Sequence, residues 1–113
     1  MELNPNQIDL IGTDQKKGVV VLTLTDHLNW EDEVAHLKQL QEKLNTYIGY
    51  VESGDLAADY PESKDLKVHF EVVFKHQPTA RAKDFLNKAK DFLKDINIIF
   101  NYSSSLWKNT SRI

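Results

Sequence analysis

The chain has 113 residues, 41% of them hydrophobic and 27% charged, with a formal net charge of −3; this is the make-up of one globular domain whose core needs no staples. It contains no cysteine, which excludes disulfides, thiol nucleophiles and thiolate metal sites and suits a reducing compartment. No stretch approaches the roughly 18 apolar residues of a membrane span, and MELNPNQIDL has neither the basic start nor the apolar run of a signal peptide, so the expected location is cytoplasmic.

Ile8, Leu10 and Ile11 form a short apolar segment followed by a polar run, Gly12 to Gly18, that reads as a turn. Val19 to Thr25 (VVVLTLT) is β-branched and turn-bounded, so the pair predicts a β-hairpin. Val20, Leu22 and Leu24 share one face; Val21, Thr23 and Thr25 share a wetter one. A polar elbow, Asp26-His27-Leu28-Asn29, then leads into a long amphipathic helix over residues 30–53. Asn29 is placed to cap it, with Asp32 three residues later as in a capping box. Glu31, Asp32 and Glu33 fall in the first turn, where the helix dipole favours acids. Trp30, Val34, Leu37, Leu40, Leu44, Tyr47, Ile48 and Val51 recur in steps of three and four, the period of one buried stripe. Gly49 leaves room for close approach of another backbone or an aromatic, and Gly54 fits the left-handed position past the helix end.

Residues 55–66, with Pro61 among them, predict a loop pinned by Leu56 and Tyr60. From Lys67 to Lys75 the chain alternates: Val68, Phe70, Val72 and Phe74 face one way, and Lys67, His69, Glu71 and Lys75 the other. This is the pattern of a half-buried strand. Pro78 and Thr79 open a second helix, capped by Thr79, with a buried stripe of Ala82, Phe85, Leu86, Ala89, Phe92, Leu93 and Ile96; Lys83, Lys90 and Lys94 lie opposite. Residues 97–102 (NIIFNY) read as a last strand. The expected fold class is α+β: a two-layer sandwich, a four-stranded mixed sheet with two helices packed on one face, in the order ββαβαβ. One domain is expected over residues 1–102, followed by a polar tail over 103–113. Right-handed crossovers on one face favour the spatial order 1-2-3-4 or 2-1-3-4, although the loop after the first helix is long enough to make the third strand antiparallel.

The densest cluster of reactive side chains is the elbow: Asp26, His27, Trp30, Glu33 and His36 are the candidate ligand or partner site. Asp26 and His27 set a carboxylate beside an imidazole, the pairing used in general acid–base work. Glu33-x-x-His36 matches the Glu-x-x-His pair of di-iron bundles, but that chemistry needs a second pair, and the second helix has none. The competing reading is capping, dipole complementation and an anchoring Trp30. His69 reads as a solvated histidine on the open sheet face. The four histidines lack zinc spacing, and no P-loop, Gly-x-Ser-x-Gly or Gly-x-Gly-x-x-Gly occurs. No catalytic residue, metal ligand or cofactor is therefore assigned.

Charge is uneven. Residues 1–56 carry ten acids against four lysines, and residues 57–113 carry seven acids against ten bases. Arg81, Lys83, Lys88, Lys90 and Lys94 make the second helix basic, but Asp84, Asp91 and Asp95 interrupt it and the chain as a whole is acidic. Neither nucleic acid nor membrane is expected as a partner. An uncovered sheet face bearing Val21, His69, Glu71 and Val73 would be a contact surface. Trp107, in the tail beside Leu106, either joins that surface or closes the core.

The combination of Ile8-Asp9-Leu10-Ile11, Asp26-His27-Leu28-x-Trp30, His36-Leu37-x-x-Leu40-Gln41-x-Lys43-Leu44-Asn45-x-Tyr47, Glu52-Ser53-Gly54 and Tyr60-Pro61 resembles a family of small uncharacterised bacterial single-domain proteins. The resemblance spans roughly residues 7–100. It implies a bacterial, cytoplasmic, stand-alone domain and supplies no activity, ligand or catalytic residue. The leading expectation is a non-catalytic protein-interaction module (immunity-type, accessory or self-associating) with a protein partner or a second copy of itself. The alternative is a small enzyme or ligand or metal binder using the elbow from Asp26 to His36.

Overall fold

The structure, a computed structural model, describes residues 3–104. Its elements are β1 (Leu10–Asp14), β2 (Val19–Asp26), α1 (Glu33–Glu52), α2 (Asp55–Asp59), a 3-10 helix (Pro61–Asp65), β3 (Lys67–Phe74), α3 (Ala80–Asp95) and β4 (Ile98–Ser103). The strands lie in the order β1-β2-β3-β4. β1 is antiparallel to β2, while β2, β3 and β4 run parallel. This is the α+β, mixed four-stranded architecture that the hydrophobic periods predict. Each parallel crossover steps one strand in the same direction, which keeps α1 and α3 on one face.

Alternation makes the core. Val20, Leu22 and Leu24 of β2, Phe70, Val72 and Phe74 of β3, and Ile98 and Phe100 of β4 are buried against Leu40, Leu44 and Tyr47 of α1 and Leu86 and Leu93 of α3. Burying each such side chain contributes about 1.5–3 kcal/mol. The other side of the sheet carries no helix among the described residues. Thr79 caps α3 as expected, accepting the Ala82 N–H at 3.1 Å. Gly54 has φ 93°, a left-handed turn that glycine takes without Cβ strain.

Several boundaries differ from the sequence expectation. The β1–β2 turn is confined to residues 15–18, closed by Gly18 at φ 69°, and Gly12 lies within β1. The expected loop over residues 55–66 is α2 followed by the 3-10 helix, with Pro61 starting the latter, where its missing N–H costs nothing. Asn97 is not in the last strand. It makes the left-handed link (φ 67°) between α3 and β4. α1 starts at Glu33 and is capped by Asp32, not Asn29. Val34 and Phe92 are 65% and 56% exposed, so neither belongs to its expected stripe. A Cβ on Gly49 would meet nothing within 4 Å, so no close approach explains that glycine. Among the described residues, no helix is long and apolar enough to cross a membrane.

Candidate functional site

β2, β3 and β4 end at the same edge of the sheet, where α1 and α3 begin. The elbow between β2 and α1 is shaped by its own side chains. Asp26 Oδ1 accepts the Leu28 N–H at 3.0 Å, and Asn29 Oδ1 accepts the Glu31 N–H at 3.0 Å. These side-chain hydrogen bonds hold residues 26–31 in local turns, and the helix starts at Glu33. Asp32 then accepts the Ala35 N–H.

The delayed start sets which face of α1 is buried: His36, Leu40, Lys43, Leu44 and Tyr47. Two of these are polar, and each meets a carboxylate. His36 Nε2 lies 2.6 Å from Asp26 Oδ2, with both side chains almost wholly buried. His36 Nδ1 lies 3.0 Å from the Asn29 carbonyl oxygen. A carbonyl can only accept, so Nδ1 carries a hydrogen. The indole of Trp30 stacks on the imidazole, with centroids 3.6 Å apart and planes 21° apart. Its Nε1–H donates to the His76 carbonyl at 3.2 Å, tying the elbow to the loop between β3 and α3. Glu33 turns away from His36 toward α3: it accepts the Thr79 hydroxyl and lies 3.5 Å from Arg81 Nε.

His27 is exposed. It sits on the rim of an open cleft of about 430 Å³ lined by Leu28, Asn29, Glu31, Asp32, His36 and Gln39 among others. The volume is within the range of small-molecule sites, but most of the lining is solvated. Asp26, Trp30 and His36 are thus in direct contact, while His27 shares only the cleft lining with His36 and Glu33 is engaged with Thr79 and Arg81. Among the described residues, no three His, Asp or Glu side chains are grouped to hold a metal ion. An imidazole acting as general base needs one nitrogen with a free lone pair facing substrate. His36 has none, because both nitrogens are already hydrogen-bonded within the elbow.

A second, part-buried pair escaped the sequence reading. Lys43 Nζ lies 2.7 Å from Asp9 Oδ1. Asp9 Oδ2 accepts the Thr25 N–H at 2.9 Å. Beside it, Tyr47 is fully buried; its hydroxyl donates to the Thr23 carbonyl at 2.8 Å and accepts the Asp9 N–H at 3.0 Å. Burial pushes the Tyr47 phenol well above its ordinary range, and the nearby Asp9 charge adds to this. The sequence signal was present as Lys43 and Tyr47 four residues apart, but nothing local says that the lysine points inward.

The opposite face of the sheet places Val21, His69 and Ile99 in one cross-strand row, with Thr23, Glu71 and Asn101 in the next. Asn101 Nδ2 lies 3.0 Å from His69 Nε2. Val73 follows beside Thr25 and Ser103. Leu10, opposite Thr23, is 60% exposed, and Ile99 is 40% exposed. Trp107 lies outside the described residues.

A family model matches residues 1–106, which takes in the whole sheet, both pairs and all three α-helices. The chain belongs to DUF6572, a family of unknown function. The matched DUF6572 span ends one residue before Trp107. No curated protein and no solved structure matches the chain.

Proposed function

We propose that this DUF6572 chain is a non-catalytic binding module that engages a protein partner through the uncovered face of its sheet. The observation that carries the reading is that, among the described residues, helices layer the sheet on one side only. The bare side mixes apolar residues (Leu10, Val21, Val73, Ile99) with His69 and Glu71. Such a mixture is the composition of non-obligate interfaces. The saturated state of the Asp26–His36 pair supports the same reading, because it removes the best acid–base candidate from the elbow.

The test is capture from native lysate with the tagged chain, compared with Val21→Glu. A charge in the centre of the face should abolish capture of the specific partner, while the melting curve stays that of the parent. A His27→Ala variant should capture as the parent does. In parallel, a thermal-shift screen with divalent metals and metabolites should leave the melting temperature unmoved. A ligand that raises it in the parent but not in His27→Ala would overturn the reading in favour of an elbow site.

A further inference from the structure

The end of the sheet bounded by β4 differs from the rest of the surface. A cleft of about 280 Å³ is lined by Lys67, Lys90, Lys94, Ile98, Ile99 and Phe100. Ile98 and Phe100 point into the core, whereas Ile99 is on the bare face. Successive strand residues alternate faces, so a cleft that touches three in a row follows the backbone edge and not one side of the sheet. β4 is the last strand, and β3 alone pairs with it. Its outward N–H and C=O groups thus have no strand partner among the described residues.

Three ammonium groups frame this edge. Lys90 and Lys94 stand one turn apart on α3. Lys67, at the start of β3, reaches Asn97 at the entrance to β4. Among the described residues, none of the three forms an ion pair with a carboxylate. Asp91 and Asp95 adjoin them in the helix but do not line the cleft. Lys94 complements the carboxy end of the α3 dipole, which accounts for one lysine and not three.

We propose that the free edge of β4, framed by Lys67, Lys90 and Lys94, takes up an extended acidic segment of a partner protein as a fifth strand. This rests on the protein-binding reading above and adds to its sheet face one edge and one partner chemistry. Strand addition supplies main-chain hydrogen bonds, and flanking side chains select the sequence. Charge decides among the possible occupants. A second copy docked edge to edge would bring two sets of three lysines together. The chain's own residues 105–113 contain Lys108 and Arg112 and no Asp or Glu. An acidic strand is the occupant whose charge matches.

The test uses the full chain, isotopically labelled for NMR, and a capped peptide of alternating Glu and Val, with its Lys-for-Glu counterpart as control. The acidic peptide should shift the amide signals of residues 98–103 and slow their hydrogen exchange. Binding should weaken as salt rises, and Lys90→Glu with Lys94→Glu should reduce affinity by about tenfold or more. The basic peptide should bind the parent more weakly and the double variant more strongly. Absence of binding, shifts centred elsewhere, or equal affinity for both peptides would overturn the proposal; the lysines would then serve only to keep edges from self-pairing. The two readings fail separately. Lysate capture that is lost in Val21→Glu but untouched in the lysine variant leaves the sheet-face module standing and removes the β4 edge. Capture unaffected by both removes both.

Discussion

At the elbow, Asp26 and His36 are buried and use their polar atoms on each other, on the Leu28 N–H and on the Asn29 carbonyl; at the edge of β4, three lysines surround a cleft and, among the described residues, none of them pairs with a carboxylate. The difference follows from the cost of desolvating charge. A charge taken out of water persists only if it is paired and hydrogen-bonded. A charge in water needs no partner and remains available to one. The buried pair in the most histidine-rich and acid-rich stretch of the sequence thus ties β2 to α1, while the lysines at positions 67, 90 and 94 remain solvated.

The largest expected effect breaks the joint. Asp26→Ala or His36→Ala leaves its partner buried and unpaired, which should cost about 3–5 kcal/mol. Urea denaturation measures this directly. Replacing both residues with leucine should recover much of the loss, because apolar packing then stands in for the pair. If the single substitutions prove as mild as changes at the β4 lysines, the contrast between a structural and an available charge is lost.

A smaller effect is expected at Tyr47, which joins α1 to both β1 and β2. Tyr47→Phe leaves the Asp9 N–H and the Thr23 carbonyl without that partner, at a cost of about 1–3 kcal/mol. The same group gives a pH signature. Burial raises the Tyr47 phenol, and Tyr50 is pushed up to about 12, first by desolvation and then by its hydrogen bond to Asp59. The folded chain thus holds phenolic protons that the unfolded chain releases near their ordinary value of 10.0. This stability is fully present below pH 10 and is lost as pH rises through the Tyr50 value and beyond it for Tyr47. Denaturation midpoints measured from neutral to alkaline pH should fall over that window, and less steeply in Tyr47→Phe.

The smallest effect is expected at His27, which shares the elbow with the buried pair but is exposed. His27→Ala should leave the melting temperature unchanged. A marked loss would mean that the cleft rim is part of the joint and that the contrast has been drawn one residue too narrowly.

Much of the architecture was legible because it depends on neighbours in the chain. The alternation of β3, the β-branched run of β2, the Thr79 cap and the glycine turn at Gly54 are local patterns with local causes. The elbow was legible only as a cluster. Its members were identified, but the partner of Asp26 was expected to be its sequence neighbour His27, whereas it is His36, ten residues away. The apolar stripe of α1 was expected to run through Val34, but the buried face carries His36 and Lys43, because Asp26 and Asp9 arrive from other segments to meet them.

The sequence by itself determined the four strands, the two long helices, their order and the two-layer arrangement, since hydrophobic period and capping chemistry act over a few residues. Only the tertiary structure decided which polar side chains turn inward, which carboxylate answers each of them, and which of the two expected strand orders is adopted. Those outcomes depend on register and crossover, contacts between residues far apart in the chain, and no local pattern encodes them.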